Sequence, residues 1–68
     1  MFEIEIPNEW DGKTVSAIDI RGRFGINTMA IRRDGRLDIN ITPDMVLTAG
    51  WHMLVLGSNK NIEKCFHI

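Results

Sequence analysis

Residues 18–36 read IDIRGRFGINTMAIRRDGR, and this stretch decides the fold. Its first part spaces apolar residues as on one face of a helix and ends at Gly25, a residue that often terminates helices. The apolar run INTMAIRR, residues 26–33, follows at once and predicts a buried strand. Asp34-Gly35 is a tight-turn signal, so the stretch predicts a helix that leads into the first strand of a hairpin.

The residues before this stretch predict a strand and the start of the helix. Residues 2–6 alternate apolar side chains with glutamates, the period of a strand with one buried face. Pro7 ends that strand because it lacks a backbone N–H. Thr14 is a typical residue at a helix start. We therefore predict a helix over residues 14–24, or two short helices that break near Asp19.

The residues after the turn predict two further strands and a second helix. Residues 36–41, RLDINI, alternate and complete the hairpin. Residues 42–50 read as a loop with one helical turn at 43–47. Residues 51–57, WHMLVLG, are nearly all apolar, as in strands that are buried on both faces. Ser58 then caps a helix. Its apolar face consists of Ile62, Cys65 and Phe66.

The element order strand, helix, strand, strand, strand, helix predicts one α+β domain over residues 1–68. We expect a small two-layer domain, with two helices on one side of a four-stranded sheet that is mixed or antiparallel. So short a chain buries a limited core, and its single Cys65 cannot form an internal disulfide. We therefore expect a homodimer, the common support for such a core.

Charge is unevenly distributed along the chain. The formal net charge is −1, yet residues 13–36 hold six basic side chains against two acidic ones. A local positive patch in a nearly neutral protein favours a small anion over nucleic acid, which selects domains that are basic overall. Solvated arginines on a helix and a strand end are the alternative interpretation.

The motif content argues against catalysis and against a bound cofactor. The sequence offers no nucleophile with a matching base, no phosphate loop and no G-x-G-x-x-G. His52 and His67 match no metal-ligand spacing. We find no signal-peptide segment and no apolar stretch long enough to span a membrane, so we expect a cytoplasmic protein without direct membrane insertion.

Three motifs in order resemble one family. They are EIEIPNEWDGKTV (residues 3–15), AIDIRGRFGINTMAIRRDGR (17–36) and TPDMVLTAGWHMLVLG (42–57). Together they resemble the TrkA-C domain, the C-terminal domain of RCK-type potassium-transport regulators. Trp51-His52 replaces the Gly-Asp that the family usually carries, and the nucleotide-binding Rossmann domain that precedes TrkA-C domains is absent from this chain.

The resemblance implies a regulatory, ligand-sensing and dimerisation domain of a cytosolic potassium-uptake regulator. Its partner would be a membrane potassium channel or transporter subunit. A subgroup of the family binds cyclic di-AMP between two C-terminal domains, and the pattern DIR…GIN resembles that subgroup. Cyclic di-AMP is twofold symmetric and carries two phosphates, so a homodimer would match its symmetry.

The resemblance also implies a set of nucleotide-binding residues. Asp19 would accept a hydrogen bond from the adenine amino group or hold Arg21, and Arg21 would meet adenine or phosphate. Asn27 and the backbone N–H of Thr28 would donate to a phosphate oxygen. The full set is Asp19, Ile20, Arg21, Asn27, Thr28 and Pro43, in which Ile20 and Pro43 would sandwich an adenine ring.

A second hypothesis is a structural dimerisation module with no small-molecule ligand. The apolar run at residues 51–57 motivates it, with Trp51 and His52 as interface residues. A dimer that no nucleotide stabilises would favour this hypothesis.

Overall fold

The computed structural model describes residues 1–68 as an α+β domain of two layers, as predicted. Its first layer is a four-stranded sheet and its second consists of short helices on one side of that sheet. In chain order the elements are β1 (Phe2–Glu5), a 3₁₀ turn (Asn8–Trp10), α1 (Val15–Ile18), α2 (Ile20–Phe24), β2 (Asn27–Arg33), β3 (Arg36–Asp38), β4 (His52–Leu56) and α3 (Asn59–Phe66).

The sheet is antiparallel throughout, with strand order β1-β4-β2-β3. The last long strand therefore lies inside the sheet, between the first strand and the hairpin. Only alternate side chains of β4, Met53 and Val55, are buried, whereas Leu56 is 46% exposed. The prediction that this strand is buried on both faces is wrong, because no second layer covers the outer face of the sheet.

The helical segment divides at Asp19, as the sequence indicates. Asp19 adopts a left-handed conformation (φ 52°) and both ends α1 and begins α2. Thr14 caps the first helix by accepting a hydrogen bond from the backbone N–H of Ala17 at 3.1 Å. Gly25 ends the second helix at φ 66°, a conformation that glycine adopts without strain.

The hairpin forms as predicted, but its second strand is shorter than expected. Asp34 and Gly35 both have positive φ, as a two-residue hairpin turn requires. β3 then ends at Asp38 because its Oδ1 accepts a hydrogen bond from the backbone N–H of Asn40, which turns the chain away from the sheet. Ile39 is consequently 71% exposed.

The helical turn predicted at residues 43–47 is absent. The segment instead runs beside the chain that precedes α1, with Leu47 donating to the Lys13 carbonyl at 2.8 Å and accepting from Gly12 at 2.9 Å. Thr14 and Val46 form an isolated antiparallel bridge there. Apart from one local bond, from the Met45 N–H to the Thr42 carbonyl at 3.1 Å, the segment bonds to another part of the chain rather than within a helical turn.

The core lies between the sheet and the helices. α3 contributes its predicted apolar face, and the Phe66 ring packs against Trp10 with 5.4 Å between ring centroids. Ile6, Ile26 and Ile31 are completely buried in the same cluster. No helix of the domain is both long enough and apolar enough to cross a bilayer.

Candidate ligand-binding cleft

One open cleft of about 380 Å³ lies between the helical segment, the beginning of β2 and the loop that follows β3. All six residues of the predicted nucleotide site line it, although they come from three separate parts of the chain. The complete lining is Val15, Ser16, Asp19, Ile20, Arg21, Ile26, Asn27, Thr28, Ile41, Thr42 and Pro43.

The cleft forms because β3 covers only part of β2. The hairpin pairs residues 31–33 of β2, which leaves residues 27–30 without a strand neighbour on that side. A bulge between Thr28 and Ala30 interrupts the pairing with β4 at the same place. The loop after β3 is held to α1, where the Ser16 backbone N–H donates to the Pro43 carbonyl at 2.9 Å.

Asp19 and Arg21 occupy the helical side of the cleft but do not pair with each other. One carboxylate oxygen of Asp19, Oδ1, accepts a hydrogen bond from the backbone N–H of Gly22 at 3.2 Å. The exposed Arg21 guanidinium makes no hydrogen bond and no ion pair. Asp19 therefore does not hold Arg21, which leaves a free positive charge at the cleft.

Asn27 and Thr28 lie on the strand side and differ in what they offer. Asn27 is exposed, and its side-chain amide makes no hydrogen bond within the domain. The Thr28 hydroxyl oxygen is buried and has no hydrogen-bond partner. The Asn27 amide is thus available to a ligand, whereas the Thr28 hydroxyl is shielded from the cleft surface.

The apolar part of the cleft differs from the predicted sandwich. Ile20 lines the cleft but is only 4% exposed, so most of its side chain belongs to the core. Pro43 is exposed, and the half-buried Ile41 lines the same cleft. Sequence reasoning missed Ile41, since its alternation with polar residues indicated a strand and only the early end of β3 brings it to the cleft.

The other arginines of residues 13–36 do not gather at the cleft. Arg32 donates to Glu3 at 2.9 Å, where His52 also binds, and Arg33 lies 3.3 Å from Asp38. Arg23 donates to the Ile18 carbonyl at 3.3 Å. The positive patch expected from the sequence is therefore dispersed, and Arg21 is the one basic residue that lines the cleft.

The family follows from comparison with known proteins. The sequence model of the TrkA-C domain family matches residues 1–68. This chain belongs to the TrkA-C family. In sequence, the domain is 29% identical over 56 residues to an uncharacterized transporter of Bacteroides thetaiotaomicron, a match that covers 82% of this chain. The chain spans about 10% of the length of that curated relative.

Solved structures share the fold of this TrkA-C domain. The RCK C domain of the potassium transport protein KtrA, in complex with cyclic di-AMP, superposes with a TM-score of 0.89 at 25% identity. That match covers 98% of this chain and 80% of the other. The RCK_C dimer of S. agalactiae BusR, also in complex with cyclic di-AMP, has a TM-score of 0.78 at 21% identity. That match covers 97% of this chain and 93% of the other.

Proposed function

We propose that this TrkA-C domain is the ligand-sensing and dimerisation unit of a potassium-transport regulator and binds cyclic di-AMP at the interface of a homodimer. The observation that carries the proposal is the convergence of Asp19, Ile20, Arg21, Asn27, Thr28 and Pro43 on one cleft. These residues come from a helix, a strand and a loop, and nothing local in the sequence requires them to meet.

The size of the cleft supports a shared site. A volume of about 380 Å³ lies near the lower end of the ~300–1,000 Å³ typical of small-molecule pockets. One cleft suits one adenosine phosphate half of the ligand better than the whole. Two clefts that face each other across a twofold axis would grip the two identical halves.

The chemistry of the lining matches such a half. The unpaired Arg21 guanidinium suits a phosphate, to which arginine binds by two parallel hydrogen bonds. The free Asn27 amide can donate to a second phosphate oxygen. Pro43 and Ile41 offer apolar surface to the adenine ring, and the free oxygen of Asp19 can accept from its amino group.

Titration calorimetry of the purified domain with cyclic di-AMP tests the proposal. We expect saturable binding with one ligand per two chains. Substitution Arg21→Ala should weaken binding by about 10- to 150-fold, the equivalent of a charged hydrogen bond worth ~1.5–3 kcal/mol.

Arg36→Ala is the matched control for this experiment. Arg36 is an exposed arginine in β3 that makes no side-chain hydrogen bond or ion pair and does not line the cleft. This variant should bind like the wild type. Absent binding heats for the wild type, or equal losses in the two variants, would refute the proposed site.

In the proposed assembly the domain belongs to a cytoplasmic regulator that contacts a membrane potassium channel or transporter subunit. The transporter relative supports this placement, because a similar domain lies within it. Ligand binding would control transport only through a difference in affinity between two arrangements of the dimer. We propose neither catalysis nor nucleic-acid binding for the domain.

A structural dimerisation module remains the second candidate. The outer face and rim of the sheet expose apolar side chains, including Met29 (43%), Leu37 (49%) and Leu56 (46%). Large exposed apolar patches commonly mark protein interfaces. A tight dimer in analytical ultracentrifugation that no cyclic dinucleotide stabilises in thermal unfolding would favour this function over ligand sensing.

A further inference from the structure

Gly22 occupies a position where any other side chain would collide with the carboxylate of Asp19. A Cβ atom built on Gly22 would lie 2.5 Å from Oδ2 and 2.6 Å from Oδ1 of Asp19. These distances are far shorter than van der Waals contact, and both atoms belong to the end of a rotatable side chain. A larger residue at this position would therefore push the carboxylate away rather than disrupt the backbone.

Glycine at this position has no other evident cause. Gly22 lies inside α2, is exposed and has no positive φ that would require glycine. Alanine is the better helix former at an exposed helical position. The Asp19 carboxylate thus occupies the space that a side chain at Gly22 would fill.

The absence of a side chain at Gly22 allows the Asp19 carboxylate to lie against the backbone of α2. Its Oδ1 accepts the Gly22 N–H at 3.2 Å, and its Oδ2 has no hydrogen-bond partner within the domain. The left-handed backbone of Asp19, at the break between two helices, further restricts where the carboxylate can go. Asp19 therefore directs Oδ1 towards the helix backbone and leaves Oδ2 as the oxygen without a partner at the cleft.

We propose that Gly22 is a positioning residue that makes the cleft selective for adenine over guanine. This inference rests on the proposed binding of cyclic di-AMP. Adenine carries a single amino donor at N6, which one free carboxylate oxygen can accept. Guanine carries two neighbouring donors, N1–H and N2–H₂, which pair best with a carboxylate whose two oxygens are both free. Oδ1 of Asp19 points at the Gly22 N–H, so the carboxylate presents one oxygen to the base and does not offer guanine the paired contact.

The first test measures affinities for cyclic di-AMP and cyclic di-GMP in the wild type and in Gly22→Ala. The added methyl should move the carboxylate, so affinity for cyclic di-AMP should fall about tenfold or more. The ratio of the affinity for cyclic di-AMP to the affinity for cyclic di-GMP should fall at the same time. The unfolding temperature should change little, because the gain in helix propensity opposes the loss of the Asp19 cap.

Gly35→Ala is the control for a general loss of stability. Gly35 lies in the hairpin turn at φ 72° with nothing within 4 Å of a built Cβ, and it does not line the cleft. Alanine there should lower the unfolding temperature because of its positive φ. Both ligand affinities should nevertheless stay at the wild-type values.

Asp19→Asn tests the same idea without disturbing Gly22. Asparagine tolerates a left-handed backbone and still caps the helix through its carbonyl oxygen, but it replaces the free acceptor with an NH₂ donor. Cyclic di-AMP should bind more weakly, and cyclic di-GMP, whose O6 is an acceptor, should lose less or gain.

The outcomes separate this inference from the function on which it rests. A wild-type domain that binds neither dinucleotide refutes the proposed function and the inference with it. A wild-type domain that binds cyclic di-AMP, combined with unchanged selectivity in Gly22→Ala and Asp19→Asn, overturns the role of Gly22 alone. The role of Gly22 is supported if both variants keep their stability and show a smaller ratio of cyclic di-AMP affinity to cyclic di-GMP affinity.

Discussion

Substitution of Thr28 by valine should stabilise the domain. The Thr28 hydroxyl oxygen is buried without a hydrogen-bond partner. Thr28 lies opposite the completely buried Val55 in the pairing of β2 with β4. Valine has the same shape and replaces the hydroxyl with a methyl group. It also suits a strand, in which β-branched residues are favoured.

The expected gain follows from the two changes at this atom. An unsatisfied buried polar group costs about 1–3 kcal/mol. A buried methyl adds up to ~0.8 kcal/mol of favourable transfer free energy. We expect the free energy of unfolding to rise by about 1–3 kcal/mol, and each 1 kcal/mol shifts the melting temperature of a domain this small by ~4–8 °C.

The assay is chemical denaturation at one fixed protein concentration, since dimerisation would otherwise change the apparent stability. Thr14→Val provides the contrast. Thr14 caps α1 through its hydroxyl, so the same substitution there should lower the free energy of unfolding by about 1 kcal/mol. Equal destabilisation by both variants would refute the assignment of the Thr28 hydroxyl as an unpaired buried group.

Two further predictions concern ionisable groups. Hydrogen bonds from Arg32, and then from His52, hold the pKa of Glu3 below its usual value of 4.5. Glu3→Gln should therefore destabilise the domain at neutral pH, and the difference should vanish in acid denaturation as the pH falls through that lowered pKa. Desolvation raises the pKa of Cys65 to about 11. A thiol reagent at pH 8 should label the folded protein at least about tenfold more slowly than the urea-unfolded protein; equal rates would contradict this burial.

Local signals in the sequence were sufficient for the helices and the hairpin. Thr14, Asp19 and Ser58 cap helices with their own side chains, and Gly25 ends a helix in a left-handed conformation. Asp34-Gly35 likewise makes its turn from two neighbouring residues. These interactions join residues that are close along the chain, so the order of residue types is enough to predict them.

Features that depend on distant contacts were predicted less well. Residues 51–57 resemble a strand buried on both faces, yet the outer face of β4 stays uncovered because the helices pack on one side only. Residues 43–47 resemble a helical turn, yet they bond to the chain at Gly12, Lys13 and Val15. Hydrogen bonds to this distant part of the chain prevented residues 43–47 from forming a helical turn.

The sequence by itself determined the element order, the helix caps and the hairpin, since each depends on spacing along the chain. The candidate nucleotide-binding residues came from its resemblance to the TrkA-C family. Tertiary structure alone decided that Asp19, Asn27 and Pro43 share one cleft and that Arg21, rather than Arg32 or Arg33, lines it with a free charge. The physical reason is that strand pairing sets these distances. The early end of β3 opens the edge of β2, and ion pairs with Glu3 and Asp38 neutralise Arg32 and Arg33.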